Sequence, residues 1–413
     1  MSSIKIKIMG KIKVGVLRET KNPPDRRVVV SPEAAKLMTE KFPNVDLYIQ
    51  TSENRCFIDQ EYKDLGLTLV DDVSDCDILM GVKEVAKSKL LANKKYLFFS
   101  HTAKEQDYNR PLLQKILANN IQIIDHEYLT DENGTRLVAF GRWAGLVGAY
   151  NGLLTYGEKT KRFSIKRANQ CHDLKELEQE IAKVDLDSVK ILITGGGRVA
   201  HGAMEVLELV KGIEKVTAQQ FLTKDFDHPV FCQIDPWDYL ERNDNLPFDF
   251  KYFIKHPGKH TSTFKPYTKV TDMFIACHFW DEKSPVFISK EDMKESDFKI
   301  NLIADVSCDI DGPIASTVRP STIAEPIYGY CPDTGEEVDV SNPKAVTVMA
   351  VDNLPGELPR NASIDFGSGL IEKVFPSLFG EDSKGIIHRA SITTLDGKLN
   401  EPFTYLEDYL EGK

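Results

Sequence analysis

The sequence has no apolar run near the ~18 residues that a membrane-crossing helix requires. It also has no block of lysines and arginines, no Cys-x-x-Cys pair, no internal repeat and no low-complexity segment. The first absence excludes a helical membrane span. The second, with 63 acidic against 52 basic residues and a net charge of −11, excludes nucleic acid or an anionic membrane surface as the main partner. The third leaves seven cysteines, odd in number and dispersed (Cys56, Cys76, Cys171, Cys232, Cys277, Cys308, Cys331), which fits reduced thiols better than a disulfide frame or zinc knuckle. A signal-peptide pattern is missing too, since Ile4-Lys-Ile-Lys-Ile-Met-Gly10 alternates charged and apolar residues. A cytoplasmic protein is expected. The histidines of His256-Pro-Gly-Lys-His260 are four apart, but Pro and Gly make that stretch a solvated turn, and no metal site is expected.

What is present is an alternation of apolar strands and amphipathic helices, over a chain of 413 residues that is too long for one compact core. Its organising stretch is Lys190-Ile-Leu-Ile-Thr-Gly-Gly-Gly-Arg-Val-Ala-His-Gly-Ala203, which reads as strand, tight turn and helix. Gly195, Gly197 and Ala200 fit the G-x-G-x-x-G/A pattern, in which the backbone N–H groups of Gly197, Arg198 and Val199 would meet a pyrophosphate at the helix N-terminus. The pattern calls for a ribose-binding acid at the end of the next strand. That strand is expected around residues 215–221, where no Asp or Glu stands, so NAD and NADP both stay open.

Before this stretch, strands are expected at residues 11–17, 45–50, 77–83, 96–101 and 121–124. Helices are expected from Ser31-Pro-Glu33, which supplies a cap and a proline at N1, and at residues 60–64, 88–91 and 112–117. A small-residue helix at residues 143–154 carries the chain onward, and a charged helix follows at 174–181. After the glycine turn, residues 222–268 read as a surface insertion rich in Asp, Pro, His and aromatics. Strands then follow at 273–279, 300–306 and 345–351, with a hairpin around Asp333-Thr-Gly335.

Polar residues at the C-terminal ends of parallel strands face the ligand crevice of this architecture. Lys83 and His101 each end an apolar strand. A lysine there either snorkels to water or, desolvated beside other cations, exchanges protons near neutral pH. An imidazole titrates there without help. Arg27 and Arg136 suit bidentate recognition of carboxylates, or ion pairs with the many acids.

Arg27-Val-Val-Val-Ser-Pro32, Gly81-Val-Lys-Glu84, the His101 strand end, the Gly195 turn, Asp305-Val-Ser-Cys-Asp309 and Asn353-Leu-Pro-Gly356 resemble, in this order, the alanine dehydrogenase, transhydrogenase and saccharopine dehydrogenase superfamily. Phe98-Phe-Ser-His-Thr-Ala-Lys-Glu-Gln106, Arg136-Leu-Val-Ala-Phe-Gly-Arg-Trp-Ala-Gly145 and Val351-Asp-Asn-Leu-Pro-Gly-Glu-Leu-Pro359 are similar to the saccharopine-forming branch: the lysine-ketoglutarate reductase half of the bifunctional enzyme and the lysine-forming saccharopine dehydrogenase.

The resemblance implies an α/β fold of two Rossmann-like, doubly wound parallel-sheet domains with the active site in the cleft between them. Residues 1–142 with 358–413 would form the catalytic domain, and 143–357 the dinucleotide domain. It implies reversible condensation of lysine with 2-oxoglutarate to saccharopine, using NAD or NADP. By the same resemblance Lys83 and His101 are the proton-exchanging pair, their roles interchangeable on this evidence, and Glu84 and Glu127 tune them. Arg27 and Arg136 hold carboxylates, and Asp309, Asn353 and Leu354 line the nicotinamide side. A homo-oligomer is compatible with it. Asp309-Ile-Asp-Gly-Pro313 departs from the more usual Asp-x-Gly-Gly turn. The alternatives are alanine dehydrogenase or another amino-acid or opine dehydrogenase, and a non-catalytic dinucleotide-binding regulator.

Overall fold

The computed structural model describes residues 10–21 and 24–413, so the stretch Ile4–Met9 of the signal-peptide reading lies outside it. The chain divides into two compact units, residues 1–139 with 359–413 and residues 140–358. Among the described residues no helix is long and apolar enough to cross a membrane.

The first unit is built on strands β1 (Ile12–Val16), β2 (Val45–Gln50), β3 (Thr68–Val70), β4 (Ile78–Lys83), β5 (Lys95–Phe99) and β6 (Gln122–Asp125). They lie in the order β3-β2-β1-β4-β5-β6, every neighbouring pair parallel. The chain leaves β1 toward β2 and returns on the other side at β4, so the switch point where such sheets bind ligands lies at the ends of β1 and β4. β4 is buried along nearly its whole length, as expected of a central parallel strand covered on both faces. The helix Pro32–Lys41 starts as anticipated, with the Ser31 side chain accepting from the Ala34 N–H. The C-terminal segment belongs to this unit. Its helix Pro359–Lys373 accepts the Val28 N–H on Ser363 Oγ at 2.9 Å, and the Ile392 N–H donates to Ile123 O beyond the β6 edge.

The second unit carries β7 (Lys190–Thr194), β8 (Glu214–Lys215), β9 (Val230–Ile234), β10 (Leu240–Arg242), β11 (His260–Ser262), β12 (Met273–Ala276), β13 (Leu302–Asp305), β14 (Ile327–Cys331), β15 (Glu336–Val338) and β16 (Val346–Met349). The main sheet runs β15-β14-β16-β13-β12-β7-β9-β8. Six of its strands are parallel, and the β14–β15 hairpin, turned by Gly335 at φ +73°, adds two antiparallel strands at one edge. β10 and β11 pair separately.

Four expectations need correction. Residues 215–221 are not a strand: β8 is two residues long, and Ala218–Thr223 is a helix opened by a Thr217–Gln220 capping box. Residues 222–268 are not a surface insertion, because they contain β9, the neighbour of β7, and bury Phe231, Tyr239, Phe253 and Phe264. The aromatics of that stretch are a core read as a loop, and His260 is buried among them against Phe253 rather than solvated. After β4 the helix expected at 88–91 is one 3₁₀ turn, Lys87–Lys89.

One packing contact fixes where the glycine turn sits. In the helix Gly141–Thr160, a Cβ on Gly145 would lie 1.7 Å from Val199 O; in the helix Arg198–Leu207, a Cβ on Gly202 would lie 2.0 Å from Arg142 O. Two helix backbones touch there with no side chain between them. Gly145→Ala should therefore cost about 3 kcal/mol by overpacking, read as a fall in the urea midpoint. Gly197→Ala, whose Cβ would meet open space, should cost under about 1 kcal/mol, the scale of a lost helix-cap preference.

Candidate functional site

The last rung between β1 and β4 is the Leu17 N–H on Met80 O at 2.8 Å. Beyond it β4 continues without its neighbour, and its N–H groups turn to a side chain. Glu19 Oε1 accepts from Val82 N at 2.6 Å and Oε2 from Lys83 N at 3.0 Å. Gly81 leaves room for that carboxylate, which would lie 3.1 Å from a Cβ there. Burial pushes the Glu19 carboxyl up to about 7, against the pull of the two N–H groups.

Beside it lies a buried ion pair. Arg27 Nε and Nη2 donate to the two oxygens of Asp25 at 3.0 and 2.6 Å, and both side chains are almost fully enclosed. Burial pushes Asp25 up, but the bidentate guanidinium wins and holds it well below the usual carboxylate range. The Lys83 amine is half-buried, and burial, followed by the Arg27 charge, lowers its pKa. Glu84 pairs with Lys21 at 2.9 Å.

His101 stands two residues past β5 rather than on it, and its backbone is left-handed at φ +55°. Such a conformation in a non-glycine residue is uncommon and concentrates at functional sites. Lys83 pairs in register with Phe99, so Lys83 and His101 leave adjacent strands at one edge. The His101 ring stacks on Phe99, with Nδ1 3.6 Å from Glu127 Oε2. Glu127 also meets Lys104 at 3.4 Å and the Arg136 guanidinium. Burial raises the Glu127 carboxyl, but the His101 ring and the Lys104 and Arg136 cations bring it down to about 2. Asp125, at the end of β6, accepts from Ser100 N and Oγ and from Glu127 N, which ties the β5 and β6 ends together.

In the second unit the turn after β7 meets the requirements of a pyrophosphate cradle. Gly195 has φ +92°, and a Cβ on it would lie 2.7 Å from Cys277 O. Gly197, with open space where its Cβ would be, caps the ten-residue helix that begins at Arg198 and Val199. Gly196 faces a carboxylate that sequence reasoning missed: a Cβ there would fall 1.9 Å from Asp235 Oδ1. Asp235 ends β9, the strand beside β7, where the ribose-binding acid belongs. Its signal, an acid after the apolar run Val230-Phe-Cys-Gln-Ile234, lay farther along the chain than the usual spacing because a helix and a loop intervene.

Asp309 follows β13, and burial with the nearby Asp305 charge raises its carboxyl to about 6. Asn353 and Leu354 follow β16, the neighbour of β13, so these three share one sheet edge, separated by β12 from the glycine turn. Glu19 and Asp25 were missed as well.

Residues 15–147 match the family described as alanine dehydrogenase/PNT, N-terminal domain. The chain is 29% identical to alpha-aminoadipic semialdehyde synthase of Arabidopsis thaliana, covering 97% of this chain and 42% of that protein. It is 27% identical to the mitochondrial enzyme of Mus musculus, covering 96% and 48%. It therefore spans about half the length of these curated relatives. The saccharopine dehydrogenase [NAD(+), L-lysine-forming] of Schizosaccharomyces pombe is 26% identical, with 86% and 90% covered. Among solved structures, an L-alanine dehydrogenase superposes with a TM-score of 0.63 at 14% identity, covering 97% of this chain and all of that one, and a Sinorhizobium meliloti transhydrogenase with 0.57 at 13%, covering 94% and 99%. These two share the fold. Within the matched residues 15–147 lie Arg27, Lys83, Glu84, His101, Glu127 and Arg136.

Asp25→Asn should leave the Arg27 charge buried without its counterion, at a cost of about 3 to 5 kcal/mol, seen in denaturant unfolding. The Asp25 pKa is depressed by folding, so its contribution is complete above the ordinary carboxylate pKa and lost as pH falls below it. The variant should therefore lose much of the wild type's acid-induced drop in stability below about pH 4.

Proposed function

We propose that this chain is a nicotinamide-dependent saccharopine dehydrogenase of the lysine-forming or lysine-ketoglutarate reductase type. What carries the reading is a lysine and a histidine on adjacent strand ends at a switch point, each flanked by acids, in a chain that aligns over most of its length with lysine-forming saccharopine dehydrogenases. Joining the lysine ε-amine to the 2-oxoglutarate carbonyl requires a carbinolamine, loss of water and reduction of the imine, so two proton-exchanging groups are needed. The Lys83 amine, its pKa lowered by burial, suits one of these tasks, and the His101 ring suits the other. Glu127 sets a carboxylate against the His101 ring, and Arg136, a half-exposed guanidinium paired with Glu127, has the fork that suits a substrate carboxylate. Arg27 grips Asp25 with both nitrogens, and its charge also lowers the pKa of Lys83.

The Gly195–Val199 turn and Asp235 fit a dinucleotide. When bound, its nicotinamide supplies the hydride. Asp235 favours NAD, because a carboxylate accepts from ribose hydroxyls and repels a 2′-phosphate. A second reading, an alanine-type amino-acid dehydrogenase, draws on the family match of residues 15–147 and on the shared fold.

NADH oxidation by the purified protein should require lysine together with 2-oxoglutarate and fail with pyruvate plus ammonia; the reverse result would move the protein to the alanine-type reading. Lys83→Met should lower kcat about 100-fold or more, the scale of general acid–base catalysis. Asp235→Ser should raise KM for NADH and narrow the preference over NADPH. Arg136→Ala with unchanged kinetics for both substrates would count against a substrate with several carboxylates.

A further inference from the structure

His126 stands in the chain between Asp125 and Glu127, yet its ring turns away from both. It is fully buried, walled by Phe99 at 4.9 Å between centroids and by Phe366 at 5.0 Å, edge to face. Its Nε2 lies 2.9 Å from Gly81 O, while Nδ1 has no hydrogen-bond partner among the described residues. A carbonyl only accepts, so Nε2 carries the hydrogen and donates, and Nδ1 is a bare lone pair facing the aromatic wall. Burial also lowers the pKa of this ring to about 4, in keeping with a neutral imidazole.

The carbonyl that His126 holds belongs to the Gly81–Val82 peptide, whose N–H is the one taken by Glu19 Oε1. One peptide plane is thus gripped at both ends by side chains, fully buried His126 and half-buried Glu19, immediately before Lys83. It is gripped where the sheet lets go: β1 has ended, and β4 slips out of register with β5 between Met80 and Lys83.

We propose that His126 is a positioning residue for Lys83: by holding the Gly81 carbonyl opposite Glu19, it fixes the peptide plane from which Lys83 leaves β4, and so the place of the amine beside Arg27 and Glu84. The inference rests on the reading of Lys83 as a proton-exchanging group. Glutamine at position 126 keeps an N–H donor within reach of the carbonyl, whereas phenylalanine keeps the ring and the aromatic packing and removes the donor.

The test compares wild type, His126→Gln and His126→Phe in two assays. The first is pH-dependent acetylation of Lys83 by acetic anhydride, read by mass spectrometry, which needs no substrate and so stands even if the wild type is silent with lysine and 2-oxoglutarate. That silence would defeat the functional reading and leave the labelling result intact. The second is the kcat profile for NADH oxidation. In His126→Phe the labelling midpoint should rise by a pH unit or more and kcat at pH 7 should fall at least tenfold with KM for NADH unchanged, and His126→Gln should recover to within threefold of wild type. A labelling midpoint and kcat in His126→Phe indistinguishable from wild type would overturn the proposal, as would equal losses in both variants that merely follow a drop in melting temperature. The wild type gives a check that no folding defect obscures: its His126 ring should appear by nitrogen NMR as the Nε2–H tautomer, unchanged between pH 5 and 8, and a titrating or Nδ1–H ring would refute the role.

Discussion

Parallel strands that end at unequal lengths leave buried backbone N–H and C=O groups with no rung to join, and a buried group of that kind must find a partner. Most of what distinguishes this protein follows from how those partners are supplied. At the β4 end they are Glu19 and His126; at the β5 and β6 ends, Asp125. At the β13 end Asp305 accepts from Ser307 N, Cys308 N and Thr317 Oγ1. Each is a polar side chain carried into the interior because the sheet edge demanded it. The chemistry-bearing residues stand on the segments so tied down.

Burying these groups alters their proton affinities in a direction that chemistry can use. Glu19 is pushed up from the ordinary carboxylate range while Lys83, which donates its backbone N–H to Glu19, is pushed down from the ordinary amine range. Two groups whose usual affinities differ by about six pH units are drawn toward neutrality from opposite sides. The Asp25–Arg27 pair shows the other outcome of burial. A bidentate guanidinium keeps its carboxylate ionised in the interior, and Lys83 feels both charges, Arg27 lowering its pKa and Asp25 partly offsetting that.

The sequence was legible where local chemistry decides the structure. The Ser31 cap, the Gly195 turn, the charged helix Leu174–Ile181 and the hairpin at Gly335 all stand where their residues indicated. It misled where tertiary context decides. Residues 222–268 are polar and aromatic enough to pass for a loop, yet Val230–Ile234 is a central strand, recognisable only once β7 needs a second neighbour. Lys83 and His101 were legible as polar ends of apolar runs. Glu19 was not, because an acid in Arg18-Glu-Thr-Lys21 reads as solvated until β1 is seen to stop short of β4. Asp25 was hidden in the same way, as was Asp235, which lies beyond the usual spacing.

The contact between Gly145 and Gly202 bears on how such a chain can diverge from relatives already less than a third identical to it. Where backbone meets backbone no side chain is available for exchange, so drift has no route through these two positions whatever the protein binds. Their constancy in any lineage would record geometry alone. On the proposed function, adaptation to another coenzyme or substrate would proceed through replaceable groups such as Asp235, Arg136 and His126, and two proteins of this fold that had parted in function would be told apart at those sites while their glycines stayed silent.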